Sequence, residues 1–469
     1  MKKISYVIFL SLVLLSVFSC RDDYDYNPAS APLRFSKDTV MLDTVFSTIR
    51  SETYALKVYN QQDEDVNIPE IYLEKGADSQ FKINVDGIPG GDSNNNHFQN
   101  IPIRAKDSIY IFIEIAPGAI STGEALADED LIFNTIGHTQ KVKLLSLIED
   151  ADFYFSTTGT KEISSDLIWD NTKSKVIYGD LKFTNGAKLT IEEGTKVYFH
   201  KNAGLIIDEG GELHINGSLN KEVTLRGDRH DTKYDSLPAN WNQVYLASGA
   251  YADVNYAIVR GGNHAFYLET DAQLDISNTK IYNFLYSGIY SIGGKVTGKN
   301  LAINNCGTAD LLLEYGGTYD FTHCSFANYW NLTLGAGYSV YLSNAYQSPQ
   351  GEVYKNLTAV FKNCIFWTRS ADSIYLDKHN DASFSYTFDT NLIKNSAKGI
   401  PIDGDPGFVD ILLNEDPLFY KTWFSNTLLS LKPESPALGK ANPTYANLVP
   451  QDINGISRTN NPDLGAYQN

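Results

Sequence analysis

Hydrophobic and polar residues alternate in short runs between residues 33 and 150. The clearest runs cover residues 54–59, 81–85, 109–115 and 141–147. A period of two places successive side chains on opposite faces of a β-strand. Polar turn residues separate the runs, as in a β-sandwich. The pattern therefore predicts a sandwich over residues 33–150, and nothing in it gathers acids, bases or metal ligands.

A longer period replaces this alternation in the middle of the chain, where a polar residue precedes a large apolar one by three places. The pairs are Asn255/Ile258, Asn278/Ile281, Asn300/Ile303, His323/Phe326 and Asn363/Phe366, at steps of 23, 22, 23 and 40 residues. The last interval holds an insertion at residues 343–356. Such steps suit coils of three short strands, stacked by parallel pairing at about 4.8 Å.

Stacked coils bring equivalent residues into columns. We expect the large apolar residues Ile258, Ile281, Ile303 and Phe326 to form one buried column. The turn residues Asn278, Asn300 and Asn363 are expected to form a ladder of side-chain amides. A solenoid of parallel strands is therefore the predicted fold of this region.

A second apolar strand follows each turn, and tyrosines recur at or near one position of it. They are Tyr267, Tyr290, Tyr341 and Tyr375. Outward-facing rings would form a track for a glycan, because aromatic rings stack on the apolar faces of sugars. A shift of register by one residue would bury them instead. The sequence leaves both orientations open.

Several segments resemble a known family. Residues 204–217 and 240–246 resemble the opening coils of bacterial right-handed parallel β-helix proteins. Residues 404–410, 435–437 and 452–467 resemble their terminal segment. The resemblance implies an all-β chain with a right-handed parallel β-helix over residues 151–400, closed by residues 401–469. The preceding module resembles Ig-like modules of spindle, cilium and bacterial surface proteins, and we expect it to be a spacer.

The N-terminus has the pattern of an export signal. Two lysines precede an apolar stretch that ends at Ser19-Cys20, which is too short for a membrane-spanning helix. Ser19-Cys20 resembles a lipobox, and the acidic run at residues 21–26 resembles the export tag of Bacteroidetes surface lipoproteins. The resemblance implies a lipoprotein signal peptide over residues 1–19, an acidic tether over residues 20–32, a lipid on Cys20, and a location at the outer membrane or cell surface.

Charge and cysteine spacing disfavour nucleic-acid binding and a zinc or disulfide framework. Loss of residues 1–19 removes two of the 38 basic residues, so the mature net charge is 36 − 56 = −20, which disfavours nucleic acid as a partner. The cysteines Cys306, Cys324 and Cys364 have no zinc-type spacing. We expect buried thiols, with neither a metal site nor a disulfide framework.

Many β-helix proteins are polysaccharide lyases or hydrolases, so we also weigh catalysis. A calcium-dependent lyase needs clustered carboxylates with a basic residue nearby. The candidate catalytic residues are Glu269, Glu314, Asp372 and Asp377, with Arg369, Lys378 and His379 close in sequence. They belong to several coils, and the sequence does not show that they converge. Calcium is expected only if the protein is a lyase, and otherwise no cofactor.

The leading hypothesis is a non-catalytic surface lipoprotein that binds a glycan or an envelope protein. The alternatives are a polysaccharide lyase or glycoside hydrolase in the side groove of the solenoid, and a purely structural scaffold. Convergence of at least three ionisable side chains in one groove favours an enzyme. A groove of tyrosines and amides favours binding, and the absence of a groove favours a scaffold.

Overall fold

The computed structural model describes residues 26–91, 94–120, 123–231, 234–333 and 337–469. The chain divides into two compact units, Met1–Glu149 and Asp150–Asn469. The predicted signal peptide, Cys20 and the acidic residues 21–25 lie outside the described residues. Within the described ranges, no helix is long and apolar enough to cross a membrane.

The first unit is a sandwich of two sheets. Its described strands are β1 Asn27–Pro28, β2 Arg34–Phe35, β3 Thr39–Met41, β4 Val45–Phe46, β5 Tyr54–Tyr59, β6 Val66–Leu73, β7 Phe81–Val85, β8 Ile88–Pro89, β9 His97–Ile103, β10 Ser108–Ile115, β11 Glu124–Thr135 and β12 His138–Glu149, with a 3₁₀ turn at Gly76–Asp78. One sheet has the order β1-β6-β11-β12-β3, with β4 on β12 and β9 on β6, and the other has the order β2-β5-β10-β7-β8. Alternate residues of both sheets fill the core, among them Leu56, Ile111 and Phe133. Strand β1 lies inside residues 20–32, the segment that the sequence assigns to the acidic tether. Ala29, next to this strand, is buried in the core of the sandwich, so the end of that segment packs with the first unit.

The second unit is built almost entirely of short parallel strands. They are β13 Ala151–Ile163, β14 Leu167–Trp169, β15 Ser174–Phe183, β16 Lys188–Glu192, β17 Lys196–Phe199, β18 Gly204–Ile207, β19 Glu212–Asn216, β20 Val223–Gly227, β21 Val244–Leu246, β22 Tyr251–Asn255, β23 Ala257–Arg260, β24 His264–Leu268, β25 Gln273–Ser277, β26 Lys280–Phe284, β27 Ser287–Ile292, β28 Lys295–Lys299, β29 Ala302–Cys306, β30 Ala309–Glu314, β31 Gly317–Thr322, β32 Ser325–Asn328, β33 Tyr338–Ser343, β36 Leu357–Lys362, β37 Ile365–Thr368, β38 Ile374–Asp377, β39 Phe384–Asp389, β40 Leu392–Ile393, β41 Phe408–Val409 and β42 Leu412–Leu413. Two antiparallel hairpins interrupt or follow them, β34 Ala345–Ser348 with β35 Gly351–Tyr354, and β43 Phe419–Trp423 with β44 Asn426–Leu431, and a single helical turn, α1, covers Pro443–Ala446.

Each regular coil contributes three strands. The first strand joins a sheet of ten strands, β14-β16-β19-β22-β25-β28-β31-β36-β39-β41. The second and third strands join a sheet of eighteen strands, in which each pairs with its equivalent in the next coil. Apolar side chains from all three strands fill the interior. The predicted all-β fold, a parallel β-helix preceded by a β-sandwich, is confirmed.

The buried column on the second strands differs from the prediction in one coil. Parallel pairing stacks Val259, Ile281, Ile303, Phe326 and Phe366. The prediction for Ile258 is wrong, because this residue pairs with Lys280 and is only partly buried. Tyr256, rather than Asn255, takes the left-handed turn conformation in that coil, with φ of 49°, so the strand begins one residue later.

The predicted amide ladder forms, with a histidine inserted in it. Asn300 donates from Nδ2 to Oδ1 of Asn278 at 2.8 Å, and Asn278 donates to Oδ1 of Asn255 at 2.9 Å. His323 occupies the rung below Asn363, with 2.9 Å between Nε2 and Nδ2. All turn residues from Asn278 to Asn363 on this ladder have φ near +50°, a conformation that asparagine tolerates better than most residues.

The three cysteines are buried and unpaired with one another. Cys324 and Cys364 occupy equivalent positions in neighbouring coils, as the sequence predicts. Burial raises the pKa of the Cys306 and Cys324 thiols well above the ordinary value. Both therefore act as small apolar residues of the core.

Candidate functional site

A column of tyrosines follows the outer face of the third strands. Parallel pairing aligns Tyr245, Tyr267, Tyr290, Leu312, Tyr341 and Tyr375. The residues on either side of Tyr267, Phe266 and Leu268, point inward and are fully buried. The tyrosine rings therefore face outward, and Tyr375 is 42% exposed. Five steps between coils make the column about 24 Å long.

A second column lies two residues further along the same strands. It consists of Ala247, Glu269, Ile292, Glu314, Ser343 and Asp377, as the pairing of the flanking residues requires. Carboxylates thus occur in every second coil, about 9.6 Å apart. Three of the candidate acids that the sequence scatters over several coils share one column.

Each carboxylate accepts a hydrogen bond from a tyrosine of the preceding coil. Tyr290 donates to Oε2 of Glu314 at 2.8 Å and Tyr245 donates to Oε1 of Glu269 at 3.1 Å. Tyr341 donates to Oδ2 of Asp377 at 3.3 Å. These bonds orient the rings and carboxylates along the outer face of the third strands.

Partial burial shifts the pKa values of these groups. Burial, with Glu269 beside it, raises the pKa of Tyr245 to about 12. Burial likewise raises the pKa values of Tyr290, beside Glu314, and Tyr341, beside Asp377. Burial also raises the pKa of Glu314, although the hydrogen bond from Tyr290 opposes the shift. The phenols therefore remain protonated donors at neutral pH.

The hairpin β34–β35 forms a wall beside the carboxylate column. It arises from the predicted insertion. Lys355, which directly follows β35, reaches back to earlier coils, where its Nζ binds Asp271 at 2.8 Å and the carbonyl of Gly293 at 3.0 Å. On the other side, Nε2 of His379 lies 3.2 Å from Asp377 and 4.0 Å from Glu352. The hairpin is thereby joined to the coils at both ends of the column.

Aromatic side chains flank the opposite edge of the tyrosine column. The ring of His264 stacks on Tyr286 and on Tyr290, with centroids 5.1 and 5.3 Å apart. Burial lowers the pKa of His264 to about 4, so its imidazole is neutral at neutral pH. Further along, Tyr338 lies 5.3 Å from Tyr375. We call the surface made by the two columns, between these aromatic side chains and the hairpin, the groove. Tyrosines form its floor, and His264, Tyr286 and Tyr338 form one edge.

The remaining candidates lie outside this arrangement. Arg369 is exposed and forms no ion pair with a described residue. Asp372 accepts a hydrogen bond from the backbone of Ser396 at 2.6 Å. Lys378 lines a separate depression of about 560 Å³ with Tyr386 and Asp403. The structure thus brings Glu269, Glu314, Asp377 and His379 to the groove, without Arg369, Asp372 or Lys378.

Sequence reasoning missed four groove residues. They are Tyr245, His264, Tyr286 and Tyr338. Tyr245 precedes Tyr267 by 22 residues, so one further step of the repeat would have found it. His264 and Tyr338 each precede the repeated tyrosine position by three residues and share one register position, so a second aromatic position in the repeat would have indicated them. Tyr286 precedes Tyr290 by four residues, and its approach depends on how that corner folds.

No cluster in the described part of the chain brings three or more histidines, cysteines or acids close enough to hold a metal ion. The three groove carboxylates are separated by intervening coils. Neither lysine nor arginine of the described residues forms an ion pair with Glu269, Glu314 or Asp377.

Residues 242–414 match the family described as "Right handed beta helix region". This segment contains the coils that carry both columns, and it is a right-handed parallel β-helix domain. A search of the curated proteins found no match.

Solved structures resemble the chain only weakly. Pectate lyase Pel9A is 12% identical, with a TM-score of 0.31, over 68% of this chain and 88% of that one. The catalytic domain of a GH87 alpha-1,3-glucanase is 10% identical, with a TM-score of 0.16, over 82% and 95%. The ASH/PapD-like domain of human CEP192 is 14% identical, with a TM-score of 0.17, over 28% and 99%. Similarity at this level indicates no function.

Proposed function

We propose that this protein is a non-catalytic glycan-binding lipoprotein, held at the cell surface through Cys20, with the groove on the third strands as its binding surface. The observation that carries the proposal is the outward tyrosine column. Its half-buried rings are held by neighbouring coils and by hydrogen bonds from Tyr245, Tyr290 and Tyr341 to carboxylates. Such a surface is ordered before a ligand arrives, which lowers the entropic cost of binding.

The chemistry of the groove suits sugars. Pyranose rings present apolar faces to aromatic side chains, while carboxylates accept hydrogen bonds from their hydroxyls. A length of about 24 Å accommodates several sugars of one chain. An envelope protein, the other partner considered from the sequence, is less well matched to a narrow aromatic floor than a polysaccharide is.

Catalysis is the second candidate function, and one observation favours it. Glu269, Glu314 and Asp377 share a column, and burial raises the pKa of Glu314, as a general acid requires. Binding is better supported, because each carboxylate is engaged by a tyrosine and the acids lie two coils apart. They stand along the groove and do not face one another across it.

Glycan-array screening of the full-length protein in detergent, followed by calorimetry on the best ligand, tests the proposal. We expect Tyr290→Ala to weaken binding about 10-fold or more, because it removes an aromatic platform. Tyr251→Ala is the matched control, since Tyr251 also donates to a carboxylate, Asp275 at 3.1 Å, but lies on the ten-stranded sheet. It should leave affinity unchanged.

Product analysis on the same glycans decides between the two functions. New reducing ends or unsaturated sugars that disappear in Glu314→Gln would establish an enzyme. Circular dichroism and thermal melting confirm that each variant is folded. Equal loss of binding in Tyr290→Ala and Tyr251→Ala would place the ligand elsewhere.

A further inference from the structure

The geometry of the groove points to one ligand class, an extended, uncharged β-1,4-linked polysaccharide that lies along the β-helix axis with one sugar per coil. This inference rests on the proposed glycan-binding function and specifies its ligand. Three independent features carry it: the spacing of the coils, the alternation of the carboxylates, and the sign of the charge in the groove.

The spacing of the tyrosine rungs is the first feature. Adjacent coils are separated by about 4.8 Å, which is close to the rise of one sugar in an extended β-1,4-linked chain. A chain parallel to the axis therefore places successive rings over successive rungs from Tyr245 to Tyr375. Coiled polymers, such as β-1,3-linked glucans, do not maintain this match over six coils.

The alternation of the carboxylate column is the second feature. Glu269, Glu314 and Asp377 occur in every second coil, whereas Ile292 and Ser343, in the coils between them, are 5% and 2% exposed. An extended β-1,4-linked chain rotates by half a turn at each sugar, so the same hydroxyl edge faces the same wall at every second sugar. One carboxylate is then available for each repeat of that edge.

The charge of the groove is the third feature. Glu352 on the hairpin adds a fourth carboxylate to the three of the column. His379 lies beside both Glu352 and Asp377. Lysines and arginines of the described residues pair with none of the three column carboxylates, and the whole chain carries a net charge of −18. A polyuronate would therefore bring its carboxylates against Glu269, Glu314 and Asp377, whereas an uncharged chain would not meet this repulsion.

Calorimetry with four oligosaccharides tests the inference on the full-length protein: cellohexaose, mannohexaose, laminarihexaose and hexagalacturonate. We expect cellohexaose or mannohexaose to bind at least about 10-fold more tightly than laminarihexaose. Hexagalacturonate should not bind at low or at high salt. Equal or tighter binding of laminarihexaose or hexagalacturonate would overturn the inference.

A length series and a charge variant test the register. Affinity for the β-1,4-linked series should rise until the oligosaccharide spans the coils from Tyr245 to Tyr375, and then level off. Glu314→Ala should weaken hexaose binding several-fold, whereas Asp275→Ala, which removes the acceptor of the control pair with Tyr251, should not. An affinity that stops rising at two sugars, or a Glu314→Ala variant with unchanged affinity, would contradict the inference of one sugar per coil.

Failure of this inference is distinguishable from failure of the proposed function. If a glycan of another linkage binds and Tyr290→Ala abolishes that binding, the function stands and the ligand class is wrong. If no glycan on the array binds, the proposed function itself is wrong.

Discussion

At the scale of single residues, Asp310 departs most clearly from its equivalents in other coils. Its side chain is fully buried, and neither carboxyl oxygen accepts a hydrogen bond from an N–H or O–H group of the described residues, the Cys306 thiol being the only donor beside it. The register places Gly288, Ser339 and Ser373 at the same position. Burial raises the pKa of Asp310 well above its ordinary value, and the adjacent Cys306 thiol opposes the shift. The coil therefore carries a neutral carboxyl where its neighbours carry a satisfied hydroxyl or no side chain.

We predict that Asp310→Ser stabilises the protein. Ser339 and Ser373 donate to backbone carbonyls of adjacent coils, at 3.1 and 2.8 Å, and a serine at 310 would remove two unsatisfied oxygens. The free energy of unfolding should increase by about 1–3 kcal/mol near neutral pH. Urea unfolding of the two proteins measures it.

The gain should depend on pH in a defined direction. Above the ordinary value of 3.8 the unfolded chain releases the Asp310 proton, whereas the folded chain retains it up to the raised pKa. The free energy of unfolding of the wild type therefore falls as pH rises through that window. Asp310→Ser has no such carboxyl and does not show this fall. The difference between the proteins should be larger at about pH 8 than at about pH 4. A difference independent of pH would mean that the carboxyl titrates normally.

At the scale of elements, the repeat could be predicted wherever a single residue type defines the turn. Asn278, Asn300 and Asn363 mark left-handed positions that asparagine accepts, so the step and the column after each of them were predictable. Tyr256 takes the same conformation in its coil without any such signal. Because the left-handed residue of that coil is Tyr256 and not Asn255, Val259 takes the buried position and the prediction for Ile258 was wrong.

The groove was only partly predictable for a related reason. Tyrosines at one repeated position indicated a column, but which face it occupies depends on turn lengths that vary between coils. The shared column of Glu269, Glu314 and Asp377 appears only when the register is known to one residue. The hairpin wall depends on long-range contacts, such as Lys355 with Asp271, that no local pattern encodes.

The amide ladder supplies the prediction at this scale. Asn300 donates to Asn278, and its Oδ1 accepts from Nη2 of the buried Arg458 at 3.0 Å. Asn300→Gly keeps the left-handed backbone, because glycine tolerates positive φ, but removes both interactions and the hydrogen bond from Asn300 to the carbonyl of Gln451. The free energy of unfolding should fall by about 2–4 kcal/mol, since the buried guanidinium of Arg458 keeps only the carbonyl of Gly465 as an acceptor.

Asn220→Gly is the control for the ladder. Asn220 also has a positive φ, of 64°, but is exposed. Chemical denaturation should show little change for Asn220→Gly and a much lower midpoint for Asn300→Gly. Similar midpoints for the two variants would show that the ladder contributes little to stability.

At the scale of the whole molecule, the sandwich and the β-helix have separate hydrophobic cores. The residues proposed to bind a glycan all belong to the β-helix unit. Attachment to a membrane is a distinct property, which the proposal assigns to Cys20. Binding and anchoring should therefore be separable by mutation.

We predict that Cys20→Ala releases the protein from membranes without changing its affinity for glycans. With the proposed signal peptide removed, the net charge of −20 gains the chain no attraction from an anionic lipid surface. The proposed anchor would therefore depend on acyl chains, of which more than one is needed for stable anchoring. Detergent-phase partitioning should place the wild type with the detergent and Cys20→Ala in the aqueous phase, with equal affinities in calorimetry. Retention of Cys20→Ala in the detergent phase, or labelling that finds no lipid on the wild type, would refute the anchor, whereas reduced glycan affinity of Cys20→Ala would contradict the separation of the two properties.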